Sequence, residues 1–457
     1  MELMETQTTQ EVQIQPLYSV RSLVRLIVPM VVEQGLAMAV GAADTIMVTS
    51  VGEAAVSGIA LVDSINNLMI QILAALATGG AVVAAQYLGR QQAEGARSAA
   101  RQLLLVVTLV SVVLSVLSVV FNGSLLRLIF GDVDARVMEN AKVYFYLSAS
   151  SYPFLAVYNA IAAMFRAMGN SKVSMMTALL MNIVNFGGNA VLIYVCGWGV
   201  AGAATASLLS RLLSAVVMLH LIRNHQNAIW LDRSVKFDIK PDMAKRILAI
   251  GIPNGLENGM FQFGKLIVQS VVAGYGMVAI TANAIAGSIT SVVMVPGSAV
   301  GLAMITVVGQ CMGAGDNSQA GKNVKRMLLM TYAGNIVLGL LLWLLAAELA
   351  GLFQLGPETI ALAAQLLITA AITQVLFWPT AFPLSHALRA TGDARFTMVV
   401  SVVSMWVFRV GCSYVLGIGM GMGVMGVWYA MYIDWVVRSA AFIWRWRSGK
   451  WKSKTVI

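Results

Sequence analysis

Apolar residues run through this chain in long blocks separated by short polar turns, at about 22–48, 54–87, 101–121, 138–163, 172–195, 200–222, 246–273, 278–311, 327–347, 358–382, 396–416 and 424–444. Each block reaches the roughly 20 residues that a helix needs to cross a hydrocarbon core. The pattern predicts an all-α membrane protein of twelve transmembrane helices. Its longest internal polar segment, 223–245, carries Arg233, Lys236, Lys240 and three aspartates, and it falls after the sixth block. The predicted organisation is a polar tail at 1–20, a six-helix bundle at 21–222, a linker at 223–245, a second six-helix bundle at 246–446 and a basic tail at 447–457.

The two bundles repeat one another. Shifted by 224 positions, Pro29 meets Pro253, Glu33 meets Glu257, Gly35 meets Gly259, Gly52 meets Gly276 and Ala60 meets Ala284. The register still holds at Gln86/Gln310 and Gly89/Gly313. At an offset of 223, Phe165-Arg166-Ala167-Met168-Gly169-Asn170 meets Leu388-Arg389-Ala390-Thr391-Gly392-Asp393. A match held over that length predicts a duplicated architecture. An even number of helices per unit inserts both units with the same orientation, related by a pseudo-two-fold axis along the membrane normal.

Composition sharpens the class. The chain is 59% hydrophobic and 11% charged, with a mean hydropathy of +0.80, too few charges to cover a soluble surface. Its net charge of +10 is topology information rather than a nucleic-acid footprint, because the basic residues gather in alternate loops. The N-terminus and the loops after even-numbered spans hold Arg21, Arg25, Arg90, Arg97, Arg101, Arg166, Lys172, Lys322, Lys325, Arg326, Arg389 and Arg395, and the tail ends with Arg445, Arg447, Lys450, Lys452 and Lys454. The opposite loops hold almost none. Both termini and the linker are therefore expected on the cytoplasmic side of the cell's inner (plasma) membrane. Cys196, Cys311 and Cys412 are scattered and give neither a disulfide framework nor a metal spacing. The polar start, with Glu2, Glu5 and Glu11, is no cleavable signal peptide.

Ionisable groups at membrane depth are costly and mark function unless they are paired. The candidates are Glu33, Asp44, Asp63, Arg211, Glu257, Lys265, Arg409 and Asp434. Glu33 and Asp44 share a helix face about 16 Å apart, and Pro29 loosens the helix one turn before Glu33, as Pro253 does before Glu257. As unpaired carboxylates facing a central cavity, with Gln34, Asn258 and Asp63, the two glutamates would attract cationic substrate. Asn182, Asn185 and Asn189 form one polar stripe on the fifth span. Asparagine also serves as interhelical glue, so the stripe alone does not decide the matter. Asp434 and Arg438, four residues apart, read as a structural pair. Arg211, Lys265 and Arg409 either pair with acids or snorkel. No Walker A loop, HExxH or GxSxG occurs, which argues against ATP-driven transport and intramembrane enzyme chemistry.

Pro29, then Asp44-Thr45-Ile46-Met47-Val48 and Gly52-Glu53-Ala54-Ala55-Val56-Ser57, resemble the first-helix signature of the multidrug and toxic compound extrusion (MATE) transporters of bacteria. Arg166-Ala167-Met168-Gly169 and Gly199-Val200-Ala201-Gly202-Ala203-Ala204 support the resemblance, which spans the whole chain. It implies a secondary antiporter that exports amphipathic, often cationic, small molecules in exchange for Na+ or H+. It also implies a coupling site at Asp44, Asn185, Asn189 and Ser207. Asn189 stands where many members carry a second aspartate. One carboxylate with three neutral oxygens suits a monovalent hard cation, so Na+ is favoured, with protonation of Asp44 left open. No other cofactor is expected, nor a nucleic-acid partner, and the chain is read as a monomer among membrane lipids. The competing reading is a lipid-linked oligosaccharide flippase of a related two-bundle family, which should line its cavity with many more basic groups.

Overall fold

The computed structural model describes residues 17–131, 133–232, 240–454 and 456–457, so most of the N-terminal tail and the linker's Arg233 and Lys236 lie outside the described residues. The first half comprises α1 (Val20–Thr49), α2 (Glu53–Gly89), α3 (Ala93–Val120), α4 (Asn122–Phe130), α5 (Ala135–Ser150), α6 (Tyr152–Ala167), α7 (Ser171–Asn189) and α8 (Gly199–Leu221). The second comprises α9 (Pro241–Ala273), α10 (Met277–Gly313), α11 (Asn317–Leu344), α12 (Ala346–Gly351), α13 (Pro357–Ala381), α14 (Pro383–Ala390), α15 (Ala394–Val403) and α16 (Gly423–Arg447). Among the described residues, nine helical stretches are long and apolar enough to cross a membrane by length and composition. The fourth, seventh and twelfth predicted spans fall short of that measure. The fourth is broken into α5 and α6 at Ser151, ahead of Pro153, and in α9 and α16 the Asn, Gln, Trp, Tyr and charged residues lower the mean hydropathy.

The duplication is visible in the elements themselves. α2 and α10 are both 37 residues long, α3 and α11 are both 28, and each pair starts 224 positions apart. The short helices α4 and α12, which fall almost wholly in the turns that the hydropathy pattern leaves between spans, also start 224 apart. π-helical turns at Ala190–Val195 extend α7, and others at Ser404–Gly411 and Ser413–Gly419 extend α15. Such turns shift the phase of a helix and gather at functional positions.

Each half has its own apolar core, but the first helix of each half belongs to both. Up to its proline and one residue past it, α1 packs Leu23, Leu26, Ile27 and Met30 against Ala299–Cys311 of α10 in the opposite half. After it, Met47 and Val48 pack with Ile59, Ile193 and Val200 of their own half. α9 does the converse: Met243, Ile247 and Ile250 join the core of the first half, whereas Val268, Val271 and Val272 join the second. Pro29 and Pro253 therefore sit where each helix passes from one half to the other. A proline there removes one backbone hydrogen bond from each helix at the crossover.

At the face bearing Leu17 and Ile457 the halves meet backbone to backbone. A side chain at Gly89 would collide with the Gln310 carbonyl, and one at Gly313 with the Gln86 carbonyl. Reciprocal hydrogen bonds close the same layer. Gln86 Nε2 donates to the Ala390 carbonyl at 2.8 Å, and Gln310 Nε2 donates to the Ala167 carbonyl at 2.8 Å. Tyr18 Oη adds a bond of 2.7 Å to Gln310 Oε1, and Thr306 Oγ1 bonds the Arg166 carbonyl at 2.9 Å.

Candidate ion-coupling and substrate site

Four side chains from three helices converge inside the first half. α1 brings Asp44, α7 brings Asn185 and Asn189, and α8 brings Ser207. Asn189 Nδ2 donates to Asp44 Oδ1 at 2.6 Å. In the amide orientation that suits both its neighbours, Asn185 donates to the two Asp44 oxygens at 2.9 and 3.1 Å and accepts from Ser207 Oγ at 3.1 Å. Asn185 and Asn189 are 6% and 1% exposed, so the stripe on α7 points into the bundle. Spacing on one helix could show the stripe. Only the fold brings it to Asp44.

The amides present nitrogen to Asp44, whereas the sequence argument had their oxygens facing a cation. The physical reason is plain: a carboxylate in an apolar bundle takes whatever donors lie nearest. Asn189 Oδ1 is left buried without a hydrogen-bond partner among the described residues.

Asp63, on α2 of the same bundle, lies within electrostatic reach of Asp44. It accepts from Asn66 Nδ2 at 3.4 Å and is hydrogen-bonded to Tyr144. Asn66 Oδ1 in turn accepts from Tyr152 Oη at 2.8 Å and Ser148 Oγ at 3.3 Å. Arg211 donates to Ser151 Oγ at 2.6 Å and lies within electrostatic reach of both Asp44 and Asp63. Two carboxylates thus share one guanidinium. The Tyr144, Asn66 and Ser148 part of this network has no sequence signal, because Asn66 lies on α2, Tyr144 and Ser148 lie on α5, and only the fold sets those two helices face to face.

Glu33 and Glu257 correct an expectation. Neither is an unpaired carboxylate. Arg166 Nη1 lies 3.1 Å from Glu33 Oε1, and Ser174 Oγ donates to Glu33 Oε2 at 2.8 Å. Arg389 Nη2 lies 2.9 Å from Glu257 Oε1 and also bonds Ser385 Oγ at 3.0 Å. Each glutamate, one turn past its proline, is tied to the arginine in the last turn of the fourth span of its own half, on α6 and α14 respectively. Their negative charge is already matched, so they do not act as free attractors for a cation. The signal was available: the glutamates repeat at 224 and the arginines at 223. Gln34 and Asn258 are half-buried beside them. Asp434 and Arg438 form the expected pair at 2.7 Å, fully enclosed.

Duplicated halves, membrane-depth carboxylates and a proline in each crossover helix define a multi-pass membrane transporter rather than an enzyme. The MatE family model matches the chain twice, at residues 29–191 and 253–415, two windows that are themselves 224 positions apart. The chain belongs to the MATE family of multidrug efflux transporters. It is 28% identical over 441 residues to the uncharacterized transporter YisQ of Bacillus subtilis, covering 95% of each chain. It is 24% identical to the probable multidrug resistance protein NorM of Thermotoga maritima, covering 96% of this chain and 94% of that one. Among solved structures, it superposes on a multidrug resistance MATE family transporter in an outward-facing conformation with a TM-score of 0.88, at 21% identity and over 95% of this chain and 96% of that one. A MATE in complex with MaL6 gives 0.89, at 21% identity and over 95% and 97% of the two chains.

Proposed function

We propose that the chain is a secondary antiporter of the plasma membrane that exports amphipathic, often cationic, small molecules in exchange for Na+ or H+ by alternating access. Asp44 carries the ion, with Asn185, Asn189 and Ser207 as its partners. The convergence of these four groups, drawn from three helices onto one buried carboxylate, is the observation that carries this reading. With its nitrogens toward Asp44, the amide set holds the bare carboxylate. Turned over, Asn189 Oδ1 and the other neutral oxygens complete a cage for a monovalent cation, and a single negative charge is too little to favour a divalent one. A proton on Asp44 would neutralise the carboxylate by a shorter route.

The tightly packed face with the chain ends is the cytoplasmic one in this reading, as the basic loops require. Closure there, through Gly89, Gly313, Gln86 and Gln310, corresponds to an outward-facing state. Ion binding at Asp44 changes the charge inside the first half. Helix α1, hinged at Pro29, passes that change to the interface, because its first turns pack on the opposite half. The test is efflux of a fluorescent cation from proteoliposomes with H+ and Na+ gradients imposed separately. Efflux driven by one of them supports antiport, and efflux indifferent to both would overturn it.

A further inference from the structure

The second half holds a set of charges of the opposite sign to the first. Arg438 of α16 is pinned by Asp434, which also accepts from Ser404 Oγ at 2.5 Å, and Arg438 Nη2 bonds the Ser401 carbonyl at 3.1 Å. Asp434 is the acid of this cluster, and Arg438 uses it. Arg409, on the π-helical turn Ser404–Gly411, has no carboxylate within 4.0 Å among the described residues, and its Nε is buried without a partner. Its guanidinium lies 5.5 Å from the Phe261 ring, and that of Arg438 lies 5.4 Å from the same ring. Lys265, one turn beyond Phe261 on α9, is exposed, lies within electrostatic reach of Arg409 and likewise has no carboxylate at that distance. Its helix approaches the π turn closely, because a side chain at Gly264 would strike Met405. Two more buried donors in this half, Trp406 Nε1 and Trp435 Nε1, have no acceptor among the described residues.

Three cations against one carboxylate leave an excess of positive charge, whereas Asp44, Asp63 and Arg211 leave an excess of negative charge in the first half. Uncompensated cations and orphaned donors at membrane depth are expensive. A ligand carrying acceptor oxygens and negative charge relieves both costs together. Phe261 and Phe382 face the guanidinium groups, and behind them lie the buried Trp378, stacked on Phe382 at 5.6 Å, and Trp435, edge-on to Phe382 at 6.3 Å; Phe261 and Phe382 are the two rings a ligand could meet. They offer an aromatic wall for an apolar body. We propose that Lys265 and Arg409 form a binding site for the anionic group of an amphipathic solute, a carboxylate or phosphate ester on an aromatic or alkyl body, with Arg438 as the fixed charge behind it. The substrate range then includes anions and zwitterions, whose two ends face oppositely charged halves. This site goes beyond the proposed cation export, and it is tested at equilibrium with no gradient, so its fate is separate from that of antiport.

The probes are 1-pyrenebutyrate and 1-pyrenemethylammonium, which share a ring and differ in charge. Binding to the full chain in phosphatidylcholine nanodiscs is read as energy transfer from tryptophan to pyrene, with empty discs subtracted. Lys265→Met, at an exposed position, is expected to fold. It should weaken pyrenebutyrate binding by about tenfold, the cost of one charged partner, and leave pyrenemethylammonium unchanged. Lys265→Arg should restore the anion's affinity. Adding phosphatidylglycerol separates the sources of the anion: displacement of the probe identifies a lipid headgroup as occupant, and its persistence identifies a soluble solute. Either outcome supports the site. Wild-type discs that bind no pyrenebutyrate would overturn the proposal, as would equal losses for both probes or none for either in Lys265→Met.

Discussion

Glu257 and Arg389 are joined at 2.9 Å with side chains only 8% and 6% exposed, and Glu33 and Arg166 repeat the pair at 3.1 Å with 12% and 19% exposed. The two ion pairs are equivalent by sequence repeat but differ in burial. Each fastens the first helix of its half, just past the proline, to the helix end that also contacts the opposite half.

Removing one partner of an enclosed pair leaves a buried charge unmatched, at a cost of about 3–5 kcal/mol. Glu257→Gln should therefore lower the apparent melting temperature of the detergent-solubilised protein more than Glu33→Gln does, because Arg166 is the better hydrated partner. Binding of cationic and neutral dyes should fall together in both variants. Selective loss of the cationic dye would restore the glutamates as substrate attractors.

The packed face makes a second prediction. Cys311 is fully buried in that layer, whereas Cys196 is exposed. With Cys196 and Cys412 replaced by serine, Cys311 reports opening. Gly313→Ala places a methyl group against the Gln86 carbonyl, where backbone cannot yield as a side chain would. Thiol labelling of Cys311 should rise several-fold in Gly313→Ala, and Gly89→Ala should have the same effect. Unchanged labelling would show that the layer is not the closed gate.

Orientation is tested separately. Cysteines placed at Ser50 and Asn227 should label from opposite sides of the membrane, with Asn227 inside. Labelling of both from outside would refute a cytoplasmic linker.

The hydropathy pattern and the 224-residue repeat located the helices and both halves, because membrane spans are set by length and apolarity along one stretch of chain. The fourfold set around Asp44 was named from family resemblance, and geometry then brought it together. What sequence missed are the pairings. Glu33 looked free because its partner lies 133 positions away, and a lone carboxylate on a helix says nothing of what faces it. The break at Ser151 was hidden because α5 and α6 are continuous in hydropathy. The direction in which the amides face is likewise a property of packing.

Asn189→Asp returns a second carboxylate 2.6 Å from where Asn189 Nδ2 now donates. Two acids so close hold a shared proton well, since one ionised carboxylate disfavours ionisation of the other. Efflux by this variant should depend more on the H+ gradient and less on Na+ than in the wild type. An unchanged ion preference would place the coupling elsewhere.

The central claim is that Asp44 carries the coupling ion, and the most direct measurement is gradient-driven efflux by Asp44→Asn in proteoliposomes, alongside equilibrium binding of the same substrate. Asparagine keeps the size and the hydrogen bonding of the site but neither ionises nor exchanges a proton. The expected result is loss of efflux under both H+ and Na+ gradients with substrate binding retained. Efflux at the wild-type rate would contradict the account.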